Sequence, residues 1–132
     1  MQQAAQDLSK SVEKGATEPI VIEHLGNALY EGKQYEPAAQ YLSQAVKGGQ
    51  AQAETYYQYG NVLFRQQDYK GAVTAYDQSI AKGFEDEVIY NNRGKAKALQ
   101  EQFEAAIEDY NKSLAIKSEY GQALLNRANA YY

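Results

Sequence analysis

The 132-residue sequence predicts an all-α fold of helix pairs repeated in tandem, and three observations carry that prediction. Glycine recurs at Gly26, Gly60 and Gly94, each 34 residues from the last, and Ala128 stands one step further on. An aromatic residue follows each glycine by nine positions, at Tyr35, Tyr69 and Phe103. Further series keep the same step: Ala4, Ala38, Ala72, Ala106; Leu8, Leu42, Tyr76, Tyr110; Ser11, Ala45, Ser79, Ser113; and Gly15, Gly49, Gly83. A fixed period of this length marks stacked units, each burying its apolar face against its neighbours.

Taken in order, residues 2–14 (QQAAQDLSKSVEK) match the second helix of a pair and form a half unit over 1–15. Full units follow at 19–52, 53–86 and 87–120, and residues 120–132 (YGQALLNRANAYY) match a first helix, a half unit over 121–132. The reading is one domain, 1–132, with eight helices. First helices near 20–31, 53–66 and 87–100 carry apolar residues at helical spacing, such as Tyr56, Tyr59 and Leu63. Second helices near 36–47, 69–82 and 103–116 do the same, as with Tyr69, Ala72, Val73, Tyr76 and Ile80. The turns between them, EGKQ, RQQD and LQEQ, are polar. Asp68 suits an N-cap, and Pro37 falls in a first turn, where its missing N–H does no harm. Gly15, Gly49 and Gly83 follow the second helices, where a left-handed C-cap glycine belongs. Neither end carries a polar capping helix, so the chain reads as a piece of a longer protein.

A glycine within a helix costs roughly 1 kcal/mol relative to alanine, so its recurrence at Gly60 and its equivalents needs a reason. Close approach of the second helix is that reason, with the small series Ala38, Ala72 and Ala106 as the expected counterpart. Because Ala128 fills the same place, Gly60→Ala is expected to be mild and Gly60→Leu to be costly.

These motifs resemble the tetratricopeptide repeat (TPR) family, whose 34-residue signature runs W-x2-L-G-x2-Y, then A-x3-F, A and P. LGNAL, YGNVL and RGKAK stand for its first half, and AAQYL, AVTAY and AIEDY for its second. The Trp place holds Ile22, Tyr56 and Tyr90, and the Pro place Gln50, Phe84 and Ser118. The resemblance implies a right-handed α-α superhelix with first helices lining a concave groove and second helices forming the convex face.

Composition narrows the function. A net charge of −4 with both signs interspersed argues against nucleic acid, and no apolar run approaches the ~20 residues that span a bilayer. Thirteen tyrosines against three phenylalanines and no tryptophan suit positions that are half core and half groove. With no cysteine and one histidine, His24, neither a metal site nor a catalytic triad can be assembled, and no cofactor is expected. The acidic run at 85–87 reads as a helix N-terminus, and the NKS at 111–113 lies mid-helix. No enzyme activity is expected. No compartment is set; the lack of a signal peptide and of cysteine leans toward the cytoplasm.

What the resemblance implies instead is binding of a protein or peptide segment in the groove. The family's groove positions correspond to Glu23, Asn27, Tyr30 and Glu31 in the first unit, and to Tyr57, Asn61, Phe64 and Arg65 in the second. Asn91 and Lys95 follow in the third, and Leu125, Asn129 and Tyr132 in the last helix. Side-chain amides can pair with an extended peptide backbone, and aromatics give flat contact with few rotors to freeze. Glu31, Arg65 and Lys95, together with Glu23, suggest a ligand of mixed charge. The clamp by which some TPR domains hold acidic chaperone C-termini needs basic residues where Glu23, Tyr57, Val88 and Asn92 stand, so a chaperone ligand is not expected. Convex positions such as Lys70, Thr74, Asp77 and Gln78 read as solvated surface. The alternative is self-assembly, in which the opening helix of one copy (Ala4, Leu8, Ser11, Val12) completes the unit begun by Leu124, Ala128 and Tyr131 of another.

Overall fold

The computed structural model describes residues 19–131. Seven helices run in order: α1 (Pro19–Glu31), α2 (Tyr35–Lys47), α3 (Ala53–Arg65), α4 (Tyr69–Ala81), α5 (Glu87–Ala98), α6 (Phe103–Ile116) and α7 (Gly121–Tyr131). The eighth helix expected, over 1–15, lies outside the described residues. Helices pair as α1/α2, α3/α4 and α5/α6, and α7 begins a further pair. First helices of successive units touch one another, α1 with α3, α3 with α5 and α5 with α7, while successive second helices do not. The stack therefore curves with its first helices on the inner side.

Local chemistry sets the helix limits. Asp68 accepts from the Gly71 N–H at 3.0 Å and Asp86 from the Ile89 N–H at 2.8 Å, each capping a helix start. Gly49 (φ 74°) and Gly83 (φ 103°) turn the chain through the left-handed region after α2 and α4. The tight turns inside each pair hold a feature with no glycine to signal it: Lys33, Gln67 and Glu101, at the same place in three units, have φ of 63°, 66° and 63°. Each turn is closed by an N–H one residue later, as from Asp68 to the Leu63 carbonyl at 2.9 Å.

The core corrects the expected partner of the packing glycine. Leu25, Leu42, Tyr56, Tyr76, Ile89 and Tyr110 are buried between helices. A Cβ placed on Gly60 would stand 2.6 Å from the Tyr76 ring, and one on Gly94 would stand 2.7 Å from the Tyr110 ring. On Gly26 it would meet Leu42 at 3.0 Å. The glycine thus seats first the Leu42/Tyr76/Tyr110 side chain, and the small Ala38/Ala72/Ala106 series, four residues earlier, comes close at Gly94, where the Ala106 carbonyl stands at 3.1 Å. Gly60→Ala is accordingly not mild, because the ring it meets is fully enclosed. Hydroxyls complete the pairing: Ser79 donates to the Ala53 carbonyl and Ser113 to the Glu87 carbonyl, both at 2.7 Å.

Candidate peptide-binding groove

On the inner face a cleft of about 220 Å³ is lined by Tyr30, Tyr35, Asn61, Phe64, Arg65, Tyr76 and Asn92. Asn61 on α3 is its centre. Its Nδ2 donates to the Tyr30 hydroxyl at 2.9 Å, and its Oδ1 accepts from the Tyr76 hydroxyl at 2.6 Å and from Asn92 Nδ2 at 3.2 Å. One amide thereby ties α1, α3, α4 and α5 together. Burial raises the pKa of Tyr30, Tyr57 and Tyr76, so all three phenols stay protonated donors at neutral pH.

Aromatic faces and cations surround this node. Tyr30 meets Tyr35 edge-on at 5.5 Å, Tyr57 stacks on Phe84 at 4.8 Å, and Phe64 meets Tyr69 edge-on at 5.2 Å. Arg65 lies 4.0 Å over the Tyr35 ring and Lys95 lies 5.7 Å from the Phe64 ring centre. Both cations are exposed at their residues, so the cleft is aromatic with a basic rim.

Tyr30, Asn61, Phe64 and Arg65 are therefore brought to one cleft, with Tyr57 and Lys95 beside it. Two expected groove residues are not open surface. Glu23 is buried, its Oε2 accepting from the Gln52 N–H at 2.8 Å, and Asn91 is buried, its Oδ1 accepting from Asn126 at 3.0 Å. Both side chains are consumed in joining one unit to the next. Asn27 is part-buried and accepts from the Thr55 hydroxyl at 3.3 Å. Glu31, Leu125 and Asn129 are exposed, and Tyr132 lies outside the described residues. Tyr35, Tyr76 and Asn92 complete the cleft. In the sequence the first two stand only as members of repeat series.

A second polar cluster joins α5 to the second helices α4 and α6. Arg93 on α5 forks onto Asp109, Nε to Oδ2 at 2.9 Å and one terminal nitrogen to Oδ1 at 2.7 Å. Its other terminal nitrogen reaches Asp77 at 2.8 Å, and Lys97 reaches Asp109 at 2.9 Å. Asp109 is buried, so the paired cations offset its desolvation. Asp77 is thus a partner of Arg93 as well as a convex surface residue. The signal was present in RGKAK: arginine stands where the first unit has the leucine of LGNAL.

The described residues contain no cluster of metal-ligating side chains, and no helix among them is long and apolar enough to cross a membrane. Residues 53–83 and 88–120 each match a family model described as tetratricopeptide repeat. No curated protein matches the chain. Among solved structures it is similar to MamA, at 22% identity over 96% of this chain and 74% of that one, with a TM-score of 0.84. It is similar to YrrB, described as a TPR protein with an unusual peptide-binding site, at 20% identity over 96% of this chain and 66% of that one, TM-score 0.78. The first TPR of Spaghetti (RPAP3), bound to an HSP90 peptide, aligns at 17% identity over 86% of this chain and 90% of that one, TM-score 0.73. At these identities the likeness is one of fold.

Proposed function

We propose that the chain, whose residues 53–83 and 88–120 match tetratricopeptide repeat models, is a non-catalytic interaction module whose inner cleft binds an extended peptide or protein segment. The observation that carries this reading is the Asn61 node, a part-buried amide at the centre of a cleft lined by half-buried aromatic rings and rimmed by two cations. Asn61 and Asn92 offer polar contacts to a peptide backbone, and Tyr30, Tyr57 and Phe64 offer flat contact. Arg65 and Lys95 favour an acidic side chain between them. With Glu23 tied to Gln52, the exposed groove charge is mainly basic, with Glu31 at one end. The clamp positions still hold Glu23, Tyr57, Val88 and Asn92, so the ligand differs from the chaperone C-termini bound by some relatives.

A displayed library of random peptides, selected on the chain and counter-selected on a Phe64→Ala, Arg65→Ala variant, tests the proposal. Selected peptides should lose roughly 1–2 kcal/mol or more of affinity on that variant and none on Lys70→Ala. Peptides that bind both variants alike would overturn it. A second reading, end-to-end association, is favoured by α7, where Leu124, Leu125 and Tyr131 are 42%, 63% and 68% exposed.

A further inference from the structure

A second cavity, of about 340 Å³, adjoins the inner cleft. It is lined by Lys33, Tyr35, Glu36, Val62, Arg65 and Gln66, from the turn after α1, the start of α2 and the end of α3. Tyr35 and Arg65 line both cavities, so the guanidinium lying 4.0 Å over the Tyr35 ring is the wall they share. Buried Val62, a member of the core cluster around Leu42, forms the floor.

The charge of this outer pocket differs from that of the equivalent place one unit on. There Lys33, Gln34 and Arg65 give way to Gln67, Asp68 and Leu99, and Glu36 to Lys70. The first place thus holds two cations and one carboxylate, the second one of each. Asp68 caps α4 by accepting from the Gly71 N–H, whereas Gln34 makes no side-chain cap at the start of α2. Pro37 stands there in the place of Gly71 and has no N–H to cap. The positive end of α2 therefore lacks the N-cap carboxylate that covers α4.

Among the described residues no carboxylate pairs with Lys33, Arg65 or Lys95. Arg65 rests on the Tyr35 ring although Glu36 lines the same pocket, and a carboxylate accepting two parallel N–H bonds would hold it more strongly. The three cations alternate with aromatic rings: Lys95 by Phe64, Arg65 on Tyr35, then Lys33. Resting on the cleft reading above, we propose that the bound segment is an acidic polypeptide that leaves the cleft across the Arg65–Tyr35 contact. One of its acidic side chains lies between Lys95 and Arg65, and the next lies in the outer pocket between Arg65 and Lys33. A nucleic acid fits less well, because its charge on every nucleotide would run past three cations onto a chain of net charge −4.

Peptides taken from the displayed random library on the parent chain, labelled and titrated by fluorescence anisotropy, test this. They should carry at least two acidic residues and bind Lys33→Glu about tenfold more weakly, since the reversal sets like charges together. Glu101 already holds the left-handed place of Lys33 in the third unit, so the substitution keeps the turn, and circular dichroism checks the fold. Replacing one acidic residue of the peptide by its amide should weaken binding to the parent but not to Lys33→Glu. Peptides that lose affinity on the Phe64→Ala, Arg65→Ala variant yet bind Lys33→Glu as tightly as the parent would overturn the outer pocket and leave the cleft reading standing. Peptides that bind all variants alike, or a selection that yields none, would overturn both. A labelled oligothymidylate that binds the parent and is lost on Lys33→Glu would overturn a polypeptide as the occupant.

Discussion

The first and third units put opposite chemistry into the same pair of positions. Leu25 and Tyr41 occupy it in the first unit, in one apolar cluster with Leu42 and Val62. Arg93 and Asp109 occupy it in the third, as a buried ion pair with Lys97 and Asp77 alongside. The backbone arrangement is the same in both, as the recurring helix bounds and turn dihedrals show. Register therefore decides where two side chains meet, and the meeting only requires that they suit each other. A change to one member alone is what the arrangement resists.

The largest predicted effect breaks that match. Asp109→Ala leaves Arg93 and Lys97 without their shared buried carboxylate and should cost about 3–5 kcal/mol in urea unfolding. Arg93→Leu with Asp109→Tyr, which copies the first unit, should recover most of that loss, with Lys97 reaching solvent along its stem. Asp77→Ala, at the exposed end of the network, should cost no more than about 1 kcal/mol. Equal costs for Asp109→Ala and Asp77→Ala would mean that burial does not govern the pair.

A smaller effect separates the units by pH. One core position holds Leu42, Tyr76 and Tyr110 in turn, so only the later two units place an ionisable group there. Burial pushes the Tyr110 phenol up to about 12 and raises Tyr76 as well. An unfolded tyrosine loses its proton near pH 10, as ordinary phenols do. Between pH 10 and 12 the unfolded chain therefore binds fewer protons than the folded one, and stability falls as pH rises. The stabilisation is fully present below pH 10 and is lost at roughly 1.4 kcal/mol per pH unit for each such tyrosine. Tyr110→Leu, the residue the first unit already uses, should reduce the slope of urea midpoint against pH by about one proton. An unchanged slope would place the alkaline sensitivity elsewhere.

Much of this was legible in the sequence. The 34-residue step located every described helix, and the caps at Asp68, Gly49 and Gly83 fell where residue type placed them. What was not legible depends on which atoms meet. Periodicity names the buried face of a helix but not the atoms across it, so it points to the small Ala72 and does not show that the Tyr76 ring lies nearest to Gly60. The left-handed turn residues Lys33, Gln67 and Glu101 carry no glycine or asparagine to announce them, because the closing hydrogen bonds hold the strained dihedral. Glu23 and Asn91 looked like groove residues because helical position does not reveal that a neighbouring unit consumes them.

The smallest predicted effect returns to the glycine and asks whether the seated side chain sets its cost. Alanine in place of glycine gains about 1 kcal/mol of helix propensity in every unit. Against that stands overpacking, about 1–3 kcal/mol where the neighbour cannot give way. At Gly60 the added Cβ meets the Tyr76 ring at 2.6 Å, and that ring is fully enclosed with its hydroxyl held by Asn61. Gly60→Ala should therefore lose on the order of 1–2 kcal/mol net. At Gly94 the Cβ meets Tyr110 at 2.7 Å and the Ala106 carbonyl at 3.1 Å, so Gly94→Ala should lose at least as much. At Gly26 the added Cβ meets the Leu42 side chain at 3.0 Å and its backbone nitrogen at 3.1 Å; the leucine branch can shift within a rotamer well and no atom comes closer than 3.0 Å, so Gly26→Ala should lose less than Gly60→Ala. Tyr76→Leu in the Gly60→Ala background should then offset part of the loss by turning the second unit's seat into the first unit's. Urea midpoints for the four variants decide it: equal shifts at Gly26 and Gly60 would mean that the ring has no say in the glycine's place.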